Sequence, residues 1–253
     1  MLAVCSAALL ALPLYSAWPW RFSLNDPNSI TVGTKDMQYH ISLKDTPWEN
    51  EHWTTYACYN QTAWQRIYDT SCPFYGTVYN IVAGAGYSFS GNGDSFSKIE
   101  AGYEHKSNGR PDDGTSRSFN YAFLTYTHTF SLKDMSRLEL SAKGFVGTGW
   151  WDEDYHNIEY LFRNLGCLQA KCSFHSATNM IFANLEVTPF DYFKQCQLKA
   201  RFCVRPSKQN IHVPHVILEY NYGIEALHDY GRLDQELCPY HSIRLGVCFT
   251  ALQ

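Results

Sequence analysis

Residues two apart along this chain share their character, and residues one apart change it, with charge on the polar side of the alternation. Met37, Tyr39, Ile41 and Leu43 alternate with Gln38, His40, Ser42 and Lys44. Leu138, Leu140, Ala142 and Val146 alternate with Arg137, Glu139, Ser141 and Lys143, and Leu198, Ala200, Phe202 and Val204 with Gln197, Lys199, Arg201 and Cys203. Near the C-terminus Ile243, Leu245, Val247 and Phe249 alternate with Ser242, Arg244, Gly246, Cys248 and Thr250. Side chains of a strand point alternately to its two faces, so each stretch is a strand with one apolar and one polar face. A soluble barrel turns its apolar face inward. Here the opposite face also carries Lys98, Glu100, Glu104 and Lys106, which suits a polar interior behind a lipid-facing wall, the arrangement of a transmembrane β-barrel. The same charges exclude a soluble lipid-binding barrel of lipocalin type, which needs an apolar interior.

Composition supports that reading. The chain has 253 residues and lacks a Ser/Pro-rich linker, a charge run or a repeat of twenty to fifty residues, which predicts a single domain. Segments of roughly ten residues over this length suit an antiparallel barrel of about twelve strands. Aromatic residues make up 16% of the chain, and Trp18-Pro19-Trp20, Trp150-Trp151 and Tyr192-Phe193 read as interfacial girdles at strand ends. A mean hydropathy of −0.32 rules out helical spans after the first twenty residues, and the net charge of −4 offers no footprint for nucleic acid. Residues 1–17 are apolar and end in small residues, as a secretory signal peptide cleaved after Ala17 would. The expected organisation is a signal at 1–17, an N-terminal segment at 18–35 and the barrel at 36–253. Export of this kind is what a bacterial outer-membrane barrel requires.

One polar island lies on an apolar face. In Tyr103-Glu104-His105-Lys106-Ser107-Asn108-Gly109-Arg110, His105 and Ser107 share a face with Ile99, Ala101 and Tyr103, roughly 7 Å apart along the strand. A serine hydroxyl is a weak nucleophile until a base takes its proton, and that base needs a third group to hold it. Asn120 shares its face with Ala122, Leu124 and Tyr126 and is placed to be that group. If the apolar face is the outer wall, the reactive groups face lipid. Asp112 and Asp113 read as a solvated loop tip, and His212 and His215 as loop or girdle residues.

Nine cysteines occur, and Cys5 would leave with the signal. The remaining eight have no C-x-x-C spacing, which disfavours zinc and thioredoxin-like sites, and their spacing defines no disulfide connectivity.

The catalytic island, with Thr115-Ser116-Arg117-Ser118-Phe119-Asn120 after it, resembles the two catalytic segments of the outer-membrane phospholipase A family, the calcium-dependent, dimeric lipases of Gram-negative outer membranes. Tyr59-Asn60-Gln61, Ser71-Cys72-Pro73-Phe74 with Thr77 and Tyr79, Tyr222-Gly223-Ile224-Glu225 and Ile243-Arg244-Leu245-Gly246-Val247 extend the resemblance from about Asp36 to Ala251. The resemblance implies that Ser107 attacks acyl esters of glycerophospholipids and lysophospholipids, that His105 is the base, that Asn120 orients it and that the Gly109 amide stabilises the oxyanion. It implies Ca²⁺ held by the Arg110 carbonyl, the Ser116 hydroxyl and an oxygen of Ser71 from the partner subunit, with Gln61 in the homodimer interface. The competing reading is a catalytically silent, structural or porin-like outer-membrane barrel, whose mark would be a missing member of the triad. Ser107, His105 and Asn120 are all present.

Overall fold

The computed structural model describes residues 22–34, 36–90, 95–109, 118–132, 134–147, 166–190, 193–207, 213–223 and 240–249. They form β1 (Phe22–Ser23), β2 (Asn28–Gly33), β3 (Met37–Glu49), β4 (Trp53–Gln65), β5 (Phe74–Ser90), β6 (Phe96–Ser107) and β7 (Ser118–Ser131). These are followed by β8 (Arg137–Gly147), β9 (Leu168–His175), β10 (Ile181–Phe190), β11 (Gln195–Val204), β12 (His215–Gly223) and β13 (Tyr240–Phe249). Each strand from β3 to β12 pairs antiparallel with the next, and β2 pairs with both β13 and β3, closing a barrel of twelve strands from β2 to β13. Closure leaves no unpaired edge, which is what allows a sheet to stand in hydrocarbon. Among the described residues no helix is long and apolar enough to cross a membrane.

The barrel begins earlier than residue 36. Asn28–Gly33 is its first strand, and the two-residue β1 continues along the same side of β3. Between them the chain bulges into the lumen, where Asp26 accepts from Lys171 of β9 at 3.4 Å, on the opposite side of the barrel. The signal segment 1–17, Trp18, Trp20, Trp150, Trp151 and Tyr192 lie outside the described residues; Phe193 is exposed at the start of β11.

The alternation sorts as the sequence indicates. Ile81, Ile99, Tyr103, Leu124, Leu140, Leu185, Phe202, Leu218, Ile243 and Leu245 are exposed on the outer wall. Trp53, Tyr87 and Phe89 form a chain of ring contacts near the short turns, with centroids 5.0 Å and 6.3 Å apart. Inside, charges meet opposite charges: Arg201 donates to Glu219 at 2.8 Å, and Arg244 donates to Asp36 at 2.9 Å. Glu104 is the hub behind β6, accepting from Asn80 at 2.8 Å and pairing with Lys106 at 3.3 Å and with Lys143. His215, expected in a loop or girdle, instead lies within β12 and is buried, its Nε2 bonded to the Asn179 carbonyl at 2.9 Å. Its place opposite Cys248 turns it inward.

Aromatic rings share the charged face. Phe119, Tyr121 and Phe123 of β7 are buried, and the Lys143 ammonium lies 4.5 Å from the centre of the Phe123 ring. Gly102 makes the room, since a Cβ there would come within 2.8 Å of Phe123 Cζ and 2.3 Å of the Ala83 carbonyl oxygen. Glu104, 2% exposed, therefore anchors two lysines in a packed wall. Removing one member of such a group strands the others' charge, so Glu104→Ala is expected to cost about 3 kcal/mol. Thermal unfolding of the barrel in detergent checks this; an unchanged midpoint would mean that lumen water hydrates both lysines.

Candidate active site

Pairing register builds the site. β6 and β7 are joined through residues 108–117, and their register sets His105 directly opposite Asn120 and Ser107 opposite Ser118. His105 Nδ1 lies 2.8 Å from Asn120 Oδ1. An amide oxygen only accepts, so Nδ1 carries a proton directed at it. Ser107 is two residues along the same face, at the last position of β6. All three residues are half-buried on the outer wall, beside the exposed Ile81, Tyr103 and Leu124.

The site sits at the end of the barrel that carries the longer connections. Segments 66–73, 108–117, 148–167 and 224–239 leave from this end with the short 34–36 and 191–194, and 50–52, 91–95, 132–136, 176–180 and 205–214 leave from the other. Longer loops face outward in barrels of this kind. Inward from the same strands, Glu104, Lys106, Lys143 and Tyr121 form the packed backing of the wall.

Just past Ser107 the chain turns on Gly109, whose φ of 63° lies in the left-handed region, and a Cβ there would come within 2.4 Å of Tyr79 Cε2. Tyr79 is in turn the β5 partner of Ser107. Only glycine combines this backbone angle with a ring at that distance. Gly109→Ala must therefore displace the turn or the ring and is expected to lower hydrolysis at least about tenfold, the cost of strain on the order of 1–3 kcal/mol. Initial rates on micellar phospholipid check it, and wild-type rates would show that the turn has no part in catalysis. The contact from Tyr79 is one that sequence reasoning missed, because its only signal is the pairing of β5 with β6.

The expected calcium ligands are only partly in view. Arg110 and Ser116 lie outside the described residues. Ser71 is exposed, with a φ of 69°, on the 66–73 loop at the same end of the barrel. No cluster of three His, Cys, Asp or Glu side chains able to hold a metal occurs among the described residues. Ser71 presents an oxygen to solvent at this end of the barrel. Gln61 is half-buried on β4, and its Oε1 accepts from the Tyr59 hydroxyl at 3.0 Å.

Comparison with known proteins places this architecture. The chain superimposes on the calcium-bound dimer of outer membrane phospholipase (OMPLA) from Salmonella typhi with a TM-score of 0.74 and 17% identity, covering 96% of each chain. It superimposes on outer membrane phospholipase A from Escherichia coli with a TM-score of 0.73 and 18% identity, over 92% of this chain and 99% of that one. An active-site asparagine-to-alanine mutant of the Escherichia coli protein gives 0.70 at 18% identity, over 93% of both chains. No curated protein sequence matches significantly. The fold is thus that of a twelve-stranded outer-membrane barrel of the phospholipase type. A family model for phospholipase A1 matches residues 12–232, and the chain belongs to that family.

Proposed function

We propose that this protein is an outer-membrane serine hydrolase that cleaves acyl esters of glycerophospholipids and lysophospholipids, using Ser107, His105 and Asn120. The observation that carries the reading is the 2.8 Å contact between His105 Nδ1 and Asn120 Oδ1 on a wall that faces lipid. A structural or porin-like barrel has no use for an imidazole held by an amide oxygen two residues from a serine, on the surface where an unpaired polar group is costly.

In the proposed reaction His105 Nε2 takes the proton of Ser107 Oγ as the oxygen attacks the ester carbonyl. The carbonyl π bond opens, and the tetrahedral oxyanion accepts from the Gly109 backbone N–H. His105 then returns its proton to the departing lysophospholipid or glycerol oxygen as the ester C–O bond breaks, leaving an acyl group on Ser107. Water deprotonated by His105 releases the fatty acid and restores the serine. Asn120 keeps Nδ1 protonated throughout, but a neutral amide stabilises the imidazolium less than a carboxylate does. The substrate need not leave the bilayer, because Tyr103, Leu124 and Ile81 give its acyl chain an apolar path beside the site.

Calcium belongs to the same proposal, with oxygens from Arg110 and Ser116 of one chain and from Ser71 of the partner subunit, a hard-oxygen set that suits this ion. When bound it supplies positive charge where the oxyanion develops, compensating for the weak amide. Sharing its ligands between two chains makes a homodimer, with Gln61 at its interface, the active form. Asn120→Ala tests the reading: it should lower kcat about 100-fold with little change in KM, since orientation of the base matters mainly in the transition state. A KM effect alone would make Asn120 a lipid-binding residue.

A further inference from the structure

We propose that Cys203 and Cys248 form a disulfide that staples β11 to β13 across the inside of the barrel. In the structure both are free thiols with sulfurs 3.3 Å apart, and both residues are fully buried, at 0% exposure, in an apolar cluster with Phe182 and Ile217. They belong to strands that do not pair with each other. Cys203 stands opposite Ile217 of β12, and Cys248 stands opposite His215 two residues earlier on the same strand. Side chains on the concave face of a closed sheet converge, so both thiols meet over β12.

A Cβ on Gly246, the inward-facing residue before Cys248, would come within 1.9 Å of the Ile30 carbonyl oxygen, so β13 lies close against β2 here. Closing the bond takes the sulfurs from 3.3 Å to about 2.05 Å, and β11 and β13, held on either side of β12, must draw together until the Cα atoms are within about 4.4–6.8 Å. Among the described residues no other cysteines touch each other; Cys72 is exposed and Cys58 packs with Tyr56 and Phe123.

The compartment supplies the oxidant class. An outer-membrane barrel crosses the periplasm as an open chain, where thiol–disulfide oxidoreductases act. The Cys203 thiolate attacks the oxidoreductase disulfide, giving a mixed disulfide and one free oxidoreductase thiol. The Cys248 thiolate then attacks the Cys203 sulfur, forming the new S–S bond and expelling the second oxidoreductase sulfur. Two electrons and the two cysteine protons pass to the oxidoreductase, which leaves as a dithiol. Full burial of the pair in the closed barrel requires this to happen before or during closure. The staple lies on strands opposite β6 and β7, at the end of the barrel away from His105 and Ser107.

The test uses full-length protein purified from outer membranes without reductant, unfolded in N-ethylmaleimide and digested for mass spectrometry. The expected product is a cross-linked peptide pair joining Cys203 to Cys248, two hydrogens lighter than the two free peptides. Protein from a host lacking the periplasmic oxidoreductase should instead carry maleimide on both cysteines. Its unfolding midpoint should fall by about 8–16 °C, as expected for opening a loop of this length, with hydrolysis at 25 °C unchanged. Maleimide on both residues in the protein from the oxidising host, or either residue joined to a different cysteine, would overturn the proposal.

Discussion

Ser107→Ala is expected to lower phospholipid hydrolysis by roughly 10⁴-fold or more, because it removes the atom that carries the acyl group while leaving the rest of the constellation in place. The substitution sits on the outer wall at the end of β6 and deletes one hydroxyl, so the barrel should fold and run as the compact form in unheated electrophoresis. Loss of activity with an intact barrel separates catalysis from assembly. Turnover near the wild-type rate would assign the nucleophile to another serine.

Withdrawal of calcium should have the next largest effect. With Ser71 on one chain and Arg110 and Ser116 on the other, a monomer holds only part of the proposed ligand set. Chelation is expected to reduce hydrolysis by about 100-fold or more, the scale of losing oxyanion stabilisation. The same ion should raise the dimer fraction, because a ligand that binds only the dimer shifts association by its differential affinity. Ser116→Ala should weaken both responses together. Sedimentation in detergent with and without calcium checks this: an undiminished calcium response in Ser116→Ala would place the ion elsewhere, with the loop around Asp112 and Asp113 as the first alternative.

How much of this was legible in the sequence depended on how sharply each strand separates its faces. In β3 and β11 one face is apolar and the other charged or strongly polar, so strand, inside and outside were readable without coordinates. In β7 both faces carry apolar residues over 119–124, so the inward placement of Phe119, Tyr121 and Phe123 could not be read; Gly102 on the neighbouring strand makes it possible. The start of the barrel was missed because Asn28–Gly33 is six residues long and follows a proline, too short for a period to stand out. His105 and Ser107 were readable as neighbours on one face because strand alternation alone relates them. Asn120 was readable as the group to hold His105, but not the register that sets the two directly opposite, which the whole β6–β7 ladder fixes across residues 108–117. The contact of Cys203 with Cys248 is further from the sequence still, since it depends on curvature across three strands.

The claim that Ser107 is an activated nucleophile on the lipid-facing wall is tested most directly by covalent labelling. Purified dimer in detergent with calcium would be treated with a long-chain alkyl sulfonyl fluoride, and the modified peptide mapped by mass spectrometry as hydrolysis falls. The account predicts one sulfonyl group per chain, on Ser107, with inactivation in step with labelling and no labelling of a His105→Ala variant. Labelling of a different serine in step with inactivation, or of Ser107 at an undiminished rate in His105→Ala, would contradict it.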